Sequence, residues 1–536
     1  MPRRVKKTNS TKKIIVIGVA AALIGSVLAV VYRPPATEPK SDDEGRAFLC
    51  GSGIANSNQY IQEFLIPSEC SEPVGITIDR HGVVWFAESA ARKIGKFDPS
   101  TQKFEEFPLP DSTRQEKILP VASIWDMKFD KEGNLWFPDV VTNAIWKFNP
   151  SKESFEVYRI PSTSREFNTS YPINFDFDSN GNIWFSEIYG KKIGLLDITK
   201  AKHNTSEGIR EFSPAIDLET LGPLLIDNDG NIWFTALTYP ISGKLVKFDP
   251  VEEDFVLFNI PKGITSPVGI TTDSNGNLWI NDHGTSTFIK FNPETNSTIN
   301  YVTSLPRPST SLGLYEKCLE QGGSESTCGG ALISLPYWNT IDSDGRVWFN
   351  LHQGNAIAVF DPKMETLVEY FIPTQNPKWG SCDGYDEPCG ISSPLQFALG
   401  SDGKIWFTEW SENKIGVLNP NLPLPVKLDI TNDDVRLSHG ESASIEIKVT
   451  TNEKLDSDVY MRISGTIVPA GRIFNMTADF SEQKLTFKEP SIKTVALTLT
   501  PENALPFGEY RITVSAQYND VTYSKILRLT VVPSKV

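Results

Sequence analysis

Carboxylate side chains recur at one position of a repeated pattern. Seven tryptophans each follow a turn glycine by three residues, and the residue three positions after the tryptophan is acidic in five cases: Glu88, Asp139, Glu187, Asp282 and Glu409. Carboxylates that converge on one site repel each other unless they bind a hard cation or share a proton. The pattern therefore predicts a site for Mg²⁺ or Ca²⁺ at the acidic mouth of a channel. Alternatively, each carboxylate caps a backbone N–H or pairs with a nearby lysine or arginine.

Two histidines share a second position of the repeat, four residues after the tryptophan. They are His283 and His352, on the loops that follow two successive copies. Histidine is the side chain best suited to general acid and base catalysis near neutral pH. The pair is therefore predicted to be catalytic.

Aromatic residues are expected at the same mouth. Trp125, Tyr337, Trp338 and Trp410 precede or follow the strands that carry the acidic residues. Such rings can stack on a flat or cyclic ligand, which makes them the predicted ligand-binding residues. Ordinary packing of the strands explains any one of them equally well.

The repeat that positions these residues runs to about residue 420. Each of its seven copies has an apolar strand, a Gly-containing turn, a Trp-containing strand and further strands, as in residues 73–110. A period of roughly 40 to 50 residues with four strands per unit is typical of a β-propeller. The seventh copy lacks a fourth strand, and a spare one at 60–67 is predicted to close the ring. We therefore predict an all-β, seven-bladed propeller over residues 58–423.

The N-terminus predicts a membrane anchor. Six basic residues precede an uncharged apolar run from Ile14 to Tyr32, which is about the length that spans a bilayer. The positive-inside rule keeps residues 1–32 as a cytoplasmic tail and transmembrane helix and places the rest of the chain outside the cytoplasm. Residues 33–57 are predicted to be a linker. A cleaved signal peptide is the alternative.

Charge and cysteine content agree with an exported protein. The net charge of −15 argues against nucleic acid as a partner, because phosphate binding requires a basic surface. Six cysteines suggest up to three disulfides in an exported chain. The pairs favoured by proximity in sequence are the following: Cys318 with Cys328, Cys382 with Cys389, and Cys50 with Cys70.

The repeat ends after Pro425. Residues 424–536 contain short segments of alternating apolar and polar residues, separated by turns. This pattern predicts an immunoglobulin-like β-sandwich, interpreted as a spacer or a surface-interaction module.

The propeller repeats resemble the streptogramin B (virginiamycin B) lyase family and, more loosely, gluconolactonase/SMP-30 propellers. The resemblance covers about residues 58–423 and rests on segments such as PVGITID at 73–79 and IWFTEWSENKIG at 405–416. It implies a propeller whose lyase members open a cyclic depsipeptide by elimination, with a base that removes a proton α to a carbonyl and Mg²⁺ that stabilises the enolate. The family's catalytic Glu matches Glu88, Glu187 or Glu409.

The family's catalytic histidine has no match. It stands before the glycine of the first strand, where this chain has Val74, Trp125, Ile173, Gly222, Val268, Tyr337 and Leu395. His283 and His352 would have to replace it from the neighbouring loops.

Three functions follow. The first is a membrane-anchored propeller that binds a small or peptide-like ligand at its mouth, with metal-dependent carbon–oxygen lyase activity as one form of it. The second is a non-catalytic cell-surface protein for adhesion or envelope interactions with other surface proteins. The third is a lactonase-like hydrolase, for which Asn174, Asn339 and Glu88 would supply the metal ligands.

Overall fold

The computed structural model describes residues 51–110, 123–164, 169–215, 218–238, 242–261, 263–306, 333–374, 392–465 and 475–534. These residues form β-strands and one short 3-10 helix, Trp410–Glu412, so the predicted all-β class is confirmed. No helix within these ranges is long and apolar enough to cross a membrane. The predicted span at 14–32 lies outside the described residues.

The repeated Asp, Gly and Trp build the hairpin that starts each unit. In the first copy, the Asp79 carboxylate accepts the backbone N–H groups of His81 and Val83, and Gly82 takes a positive φ of 80°. The second carboxylate oxygen accepts the indole N–H of Trp85 at 3.1 Å. The same indole bond recurs in four other copies: Trp136 to Asp130, Trp233 to Asp227, Trp279 to Asp273 and Trp348 to Asp342. The aspartate therefore fixes both the turn and the tryptophan.

The strands follow the sequence repeats. The first four units, after a leading strand, are β1 (Ile61–Leu65); β2 (Pro73–Ile78), β3 (Val84–Glu88), β4 (Lys93–Asp98), β5 (Lys103–Pro108); β6 (Lys128–Phe129), β7 (Leu135–Asp139), β8 (Ala144–Asn149), β9 (Ser154–Arg159); β10 (Pro172–Phe177), β11 (Ile183–Glu187), β12 (Lys192–Leu196), β13 (Ile209–Phe212); β14 (Thr220–Ile226), β15 (Ile232–Thr238), β16 (Ser242–Asp249), β17 (Asp254–Asn259). The next three are β18 (Pro267–Thr272), β19 (Leu278–Asp282), β20 (Thr287–Asn292), β21 (Ser297–Val302); β22 (Pro336–Ile341), β23 (Val347–Leu351), β24 (Ala356–Asp361), β25 (Thr366–Phe371); β26 (Pro394–Leu399), β27 (Ile405–Glu409), β28 (Lys414–Leu418). Within each unit, consecutive strands pair antiparallel.

The leading strand completes the last unit, as predicted. β1 pairs antiparallel with β28, with Ile61 opposite Leu418 and Leu65 opposite Lys414. Chain closure by an N-terminal strand leaves no unpaired edge on β28 and ties the two ends of the repeat together.

Apolar clusters join each unit to the next. The motif tryptophan of one unit packs into the following unit, as Trp85 does against Phe148 of the second unit and Trp279 against Phe360 of the sixth. The last cluster contains Trp406 and Ile415 of the seventh unit together with Phe86 and Phe97 of the first. The repeats therefore form a propeller-like ring.

Glycines in the third strand of several units make room for the neighbouring phenylalanine. A Cβ on Gly95 would lie 2.2 Å from the Phe86 ring, and one on Gly416 would lie 2.2 Å from the Phe407 ring. The glycine of the Lys-Ile-Gly motif is therefore needed for packing inside a unit.

The C-terminal residues form two facing sheets. Their strands are β29 (Val426–Ile430), β30 (Asp434–Ser438), β31 (Ala443–Thr451), β32 (Val459–Gly465), β33 (Met476–Phe480), β34 (Lys484–Leu485), β35 (Ser491–Pro501), β36 (Gly508–Tyr518) and β37 (Val521–Val532). One sheet has the order β29-β31-β35-β33, and the other contains β37-β36-β32-β34 with β30 parallel to β37. A single apolar core fills the space between the sheets. The finer immunoglobulin-like assignment stays a prediction.

The C-terminal module is joined to the ring through a continuous sheet. β25, the outer strand of the sixth unit, pairs antiparallel with β37, with Val368 opposite Tyr523. Two hydroxyl groups add bonds to the fifth unit: Thr513 donates to the Val302 carbonyl and Ser464 to the Thr303 carbonyl, each at 2.6 Å. The module is therefore hydrogen-bonded to the ring rather than tethered by a linker.

One cysteine lies among the described residues. Cys70 is disulfide-bonded. Its partner and the other cysteines, Cys50, Cys318, Cys328, Cys382 and Cys389, lie outside the described residues. The predicted pairing therefore stays a prediction.

Candidate functional site

An apolar cluster occupies the inner end of the ring. We call it the axial cluster. It contains the second residue of five first strands, Val74, Ile173, Val268, Tyr337 and Leu395, and Trp125, which precedes β6; Val140, Tyr171, Ile188 and Trp410 lie around them. These first-strand positions are those where the resembling family has its catalytic histidine. In this chain they form a buried hydrophobic contact between units.

A recess opens beside this cluster at the fourth unit. The equivalent residue there is Gly222, where a Cβ would lie 2.1 Å from Thr235 Oγ1. The recess is shallow: its cavity volume is about 40 Å³, within a hollow of about 490 Å³ that includes space open to solvent. Its walls are mainly apolar and come from the third to sixth units: Ile173, Ile188, Tyr189, Leu221, Pro223, Ala236, Leu237, Pro267, Val268 and Tyr337 are among them.

The four predicted ligand-binding aromatics lie together. Trp125, Tyr337 and Trp410 belong to the axial cluster, and Trp338 packs against it. The ring centres of Trp125 and Tyr337 are 6.4 Å apart, and those of Tyr337 and Trp338 are 6.3 Å apart. Of these four, Tyr337 lines the recess. The others contribute mainly to packing of the cluster.

His283 and His352 form a buried pair behind Tyr337. His283 Nε2 lies 2.9 Å from His352 Nδ1, and the two ring planes differ by 7°, so the imidazoles lie end to end in nearly the same plane. The Tyr337 ring centre is 4.7 Å from that of His283. Burial lowers the pKa of His352 to about 4, and burial together with the neighbouring imidazole holds the pKa of His283 well below its usual value. Both imidazoles are therefore neutral at pH 7.

Two of the five predicted carboxylates are held by partners of their own. Asp139 forms a buried, bidentate ion pair with Arg92 of the preceding unit, with both N–O distances at 2.8 Å. Asp282 accepts the backbone N–H groups of Thr265 and Ser266 and the hydroxyl of Thr285. These hydrogen bonds lower the pKa of Asp282, but burial has the larger effect and raises it to about 6. Both side chains therefore follow the alternative interpretation, in which the acidic residue caps or pairs locally.

The other three carboxylates share one arrangement. Glu88, Glu187 and Glu409 end the second strand of their units, opposite Lys93, Lys192 and Lys414. Each of these lysines forms an ion pair with a second glutamate, on the outer strand: Lys93 with Glu106, Lys192 with Glu211 and Lys414 with Glu63. The three second-strand glutamates are fully buried.

Burial shifts the pKa of all three upward. Burial and the charge of Glu106 raise the pKa of Glu88 to about 7, while Lys93 and Ser68 oppose the rise. Burial and Glu211 raise the pKa of Glu187 to about 8. Burial and Glu63 hold the pKa of Glu409 well above its usual value, and its oxygens accept no hydrogen bond from a described residue. At pH 7, Glu187 and Glu409 are therefore mainly protonated, whereas Glu88 is about half protonated.

The predicted metal ligands are not brought together. Within the described ranges, no three His, Cys, Asp or Glu side chains form a group that could hold a metal ion. Strand alternation is the reason: Glu88 points to the same side of its strand as Phe86, and both lie over Gly95 inside the unit rather than toward the axis. The sequence predicted an acidic channel mouth, but in the structure the inner end of the ring is apolar and the predicted carboxylates are buried within the units. Binding of Mg²⁺ or Ca²⁺ stays a prediction.

The residues considered for a lactonase-like metal site are also apart. Asn174 donates to Asp126 and accepts the backbone N–H of Leu224, whereas Asn339 donates to the Trp279 carbonyl. Glu88 lies in the first unit with Lys93. These contacts join neighbouring units and do not form one ligand set.

The sequence analysis found only one member, Glu409, of a second group of functional-looking residues. Glu63, Glu409, Glu412 and Lys414, which we call the buried ion cluster, lie where β1 closes the ring. Lys414 Nζ is 3.0 Å from Glu63 and 3.3 Å from Glu412, and all three side chains are fully buried. Ser52 donates its backbone N–H and hydroxyl to Glu412. The available signal was the lysine that recurs at the start of the third strand.

Comparisons with known proteins agree with the repeat. Residues 53–191 match the model of the Virginiamycin B lyase family. No curated protein matches the chain. Among solved structures, a streptogramin B lyase is 23% identical with a TM-score of 0.50, over 67% of this chain and 97% of its own. A virginiamycin B lyase from Staphylococcus aureus is 21% identical with a TM-score of 0.49, over 67% and 98%. The family match and the first of these structures are consistent with a virginiamycin B lyase-like propeller.

Proposed function

We propose that this chain is a streptogramin B lyase-like, seven-bladed propeller that binds a small, largely apolar or peptide-like ligand in the recess beside Tyr337. The observation that carries the proposal is the recess itself, a concave, mainly apolar space at the inner ends of four units. Ligand sites are typically apolar hollows with a few polar groups at fixed positions. Here Tyr337 and the backbone around Gly222 and Ser266 supply those groups.

The location of the protein is part of the proposal. The basic residues before the apolar run at 14–32 support a single membrane anchor, with the ring and the immunoglobulin-like module outside the cytoplasm. A ligand would then be taken up from the extracytoplasmic space. A role in adhesion is the alternative, in which the module and the ring serve as surfaces for other proteins.

Elimination chemistry is the second candidate. The His283 and His352 pair lies directly behind a wall of the recess, and a neutral imidazole can accept a proton. However, an imidazole whose pKa is about 4 is a weak base at pH 7, which favours binding over catalysis. Hydrolysis is less favoured still, because the asparagines and glutamate considered for it lie apart.

Binding is tested with a streptogramin B cyclic depsipeptide as the probe. Leu237→Glu places a carboxylate in the wall of the recess and is expected to weaken binding at least about tenfold, because the ionised group resists burial against an apolar ligand. Ile198→Glu, at an exposed apolar residue away from the recess, is the matched control and should bind as the parent does. Isothermal titration calorimetry measures both. Equal affinity of Leu237→Glu and the parent, or no binding by the parent, would contradict the proposal.

The same probe separates the chemical alternatives. Elimination opens the ring without adding atoms, so the product has the mass of the substrate, whereas hydrolysis adds one water. His352→Asn is expected to keep binding and to abolish any mass-neutral ring opening, as followed by liquid chromatography and mass spectrometry. Unchanged turnover in this variant would remove the histidine pair from the mechanism.

A further inference from the structure

The outer strands of the ring differ at one position. In each unit the outer strand pairs with the third strand, and one outer-strand residue lies opposite the fourth residue of the third-strand motif. In the order of the chain these seven residues are Gln62, Glu105, Glu156, Arg210, Val256, Ile299 and Val368. Four of the seven are polar or charged, which discourages pairing of an edge strand with another chain. The remaining three, in the fourth, fifth and sixth units, are β-branched and apolar.

Two of these three apolar edges are covered by the C-terminal module. β25, with Val368, pairs with β37, and Val368 is 8% exposed. β21, with Ile299, packs against β36, and its Val302 carbonyl accepts the Thr513 hydroxyl. Two of the three outer strands that have an apolar residue at this position are therefore covered by the C-terminal module.

The third edge is bare. Among the described residues, β17 pairs with β16 and with no other strand. Val256 is 46% exposed, Leu257 is 37% exposed, and Val251 in the preceding turn is 87% exposed. An exposed apolar edge strand is a template for β-strand addition. β17 belongs to the fourth unit, which is next to the fifth and sixth units whose outer strands the C-terminal module covers.

We propose that β17 is a dimerisation edge, which pairs antiparallel with β17 of a second copy of this chain. A twofold axis at Val256 would place Val256 opposite Val256 of the second copy and Phe255 opposite its Leu257. The paired residues at the centre of such an interface would therefore all be apolar. Charge selects the antiparallel direction. Glu252, Glu253 and Asp254 stand at the start of the strand, and Lys244 lies beside Asn259 at its end, at 3.1 Å. Antiparallel pairing brings the acidic turn of one copy toward the lysine of the other.

The test uses the full-length chain in detergent. Light scattering after size exclusion is expected to give twice the mass of one chain, and Val256→Lys is expected to raise the dissociation constant at least about tenfold. Glu156→Lys, at the same register position in the second unit, is the matched control and should remain dimeric. Val256 is 46% exposed in the single chain, so its replacement should leave the fold intact, and the circular dichroism spectrum of the variant should match that of the parent.

A cysteine at the axis separates this edge from other contacts. Val256→Cys is expected to form a reducible dimer on oxidation, whereas Val251→Cys, in the turn outside the paired segment, should not. A monomeric parent, a Val256→Lys variant that still dimerises like the parent, or absence of the Val256→Cys crosslink would each overturn the proposal. Pairing of β17 with an unrelated peptide strand, or dimerisation through the N-terminal segment, would give one of those results.

Discussion

Lys414→Met is expected to lower the free energy of unfolding by about 3 to 5 kcal/mol, because it leaves buried carboxylates without their counter-ion. Lys414 Nζ lies 3.0 Å from Glu63 and 3.3 Å from Glu412, and all three side chains are fully buried. Glu63 belongs to β1 and Lys414 to β28, so the same change weakens closure of the ring. Urea unfolding followed by tryptophan fluorescence measures the loss.

The repeat supplies matched controls for this prediction. Lys93 and Lys192 occupy the same position in the first and third units, but their side chains are 28% and 27% exposed, and each pairs with a single glutamate. Partly exposed ion pairs contribute about 1 kcal/mol or less. Lys93→Met and Lys192→Met should therefore cost much less than Lys414→Met. If the three replacements cost the same, the buried ion cluster does not hold the ring closed.

A second variant distinguishes the lost counter-ion from lost packing. Glu63→Gln combined with Lys414→Met removes one of the two uncompensated charges, so the double variant should recover part of the stability lost by Lys414→Met alone. Independent contributions of the two residues would instead make the double variant less stable than either single variant.

The local structure of the repeat was predictable from the sequence. The Asp-x-x-Gly turn and the tryptophan after it form a closed hydrogen-bonded unit of seven residues, as Asp79 and Trp85 show. Pairing of residues 60–67 with the last unit was also predictable, because one fourth strand was missing at the end of the repeat and one was spare at its start. Both inferences depend on contacts that the repeat itself specifies.

The direction of the acidic side chains was the weaker inference. Glu88 is three residues from Trp85, so strand alternation places it on the side opposite the tryptophan, with Phe86, against the third strand of its own unit. The convergence of five carboxylates on one axis was an inference from recurrence alone. The partners that hold Asp139 and Glu409 come from other strands, and the spacing within one repeat does not specify them.

The position of the C-terminal module depends on long-range pairing. Val368 and Val256 look alike in sequence, yet β37 covers one and leaves the other exposed. The sequence predicted a second sheet structure but no edge for it to join. Only the register between β25 and β37 identifies which outer strand the module completes.

Glu187→Gln is expected to remove part of the pH dependence of stability. Burial raises the pKa of Glu187 from 4.5 to about 8. Between these two pH values the folded chain keeps a proton that the unfolded chain releases, so stability falls as the pH rises. Below 4.5 both states are protonated, and well above 8 both are ionised, so no further change follows. The group therefore destabilises the fold by about 4 kcal/mol at pH 8 relative to acid pH.

Glutamine is neutral and has nearly the shape of a protonated glutamate. Glu187→Gln should therefore match the parent within about 1 kcal/mol at pH 5 and exceed it by about 4 kcal/mol at pH 8. Urea unfolding at both pH values measures the difference between variant and parent, which cancels the titration of other groups. Glu253→Gln, at a half-exposed carboxylate paired with Arg210, is the control and should show no such change. A difference for Glu187→Gln that is equal at pH 5 and pH 8 would mean that the buried carboxyl is ionised throughout, and that Lys192 rather than a proton neutralises it.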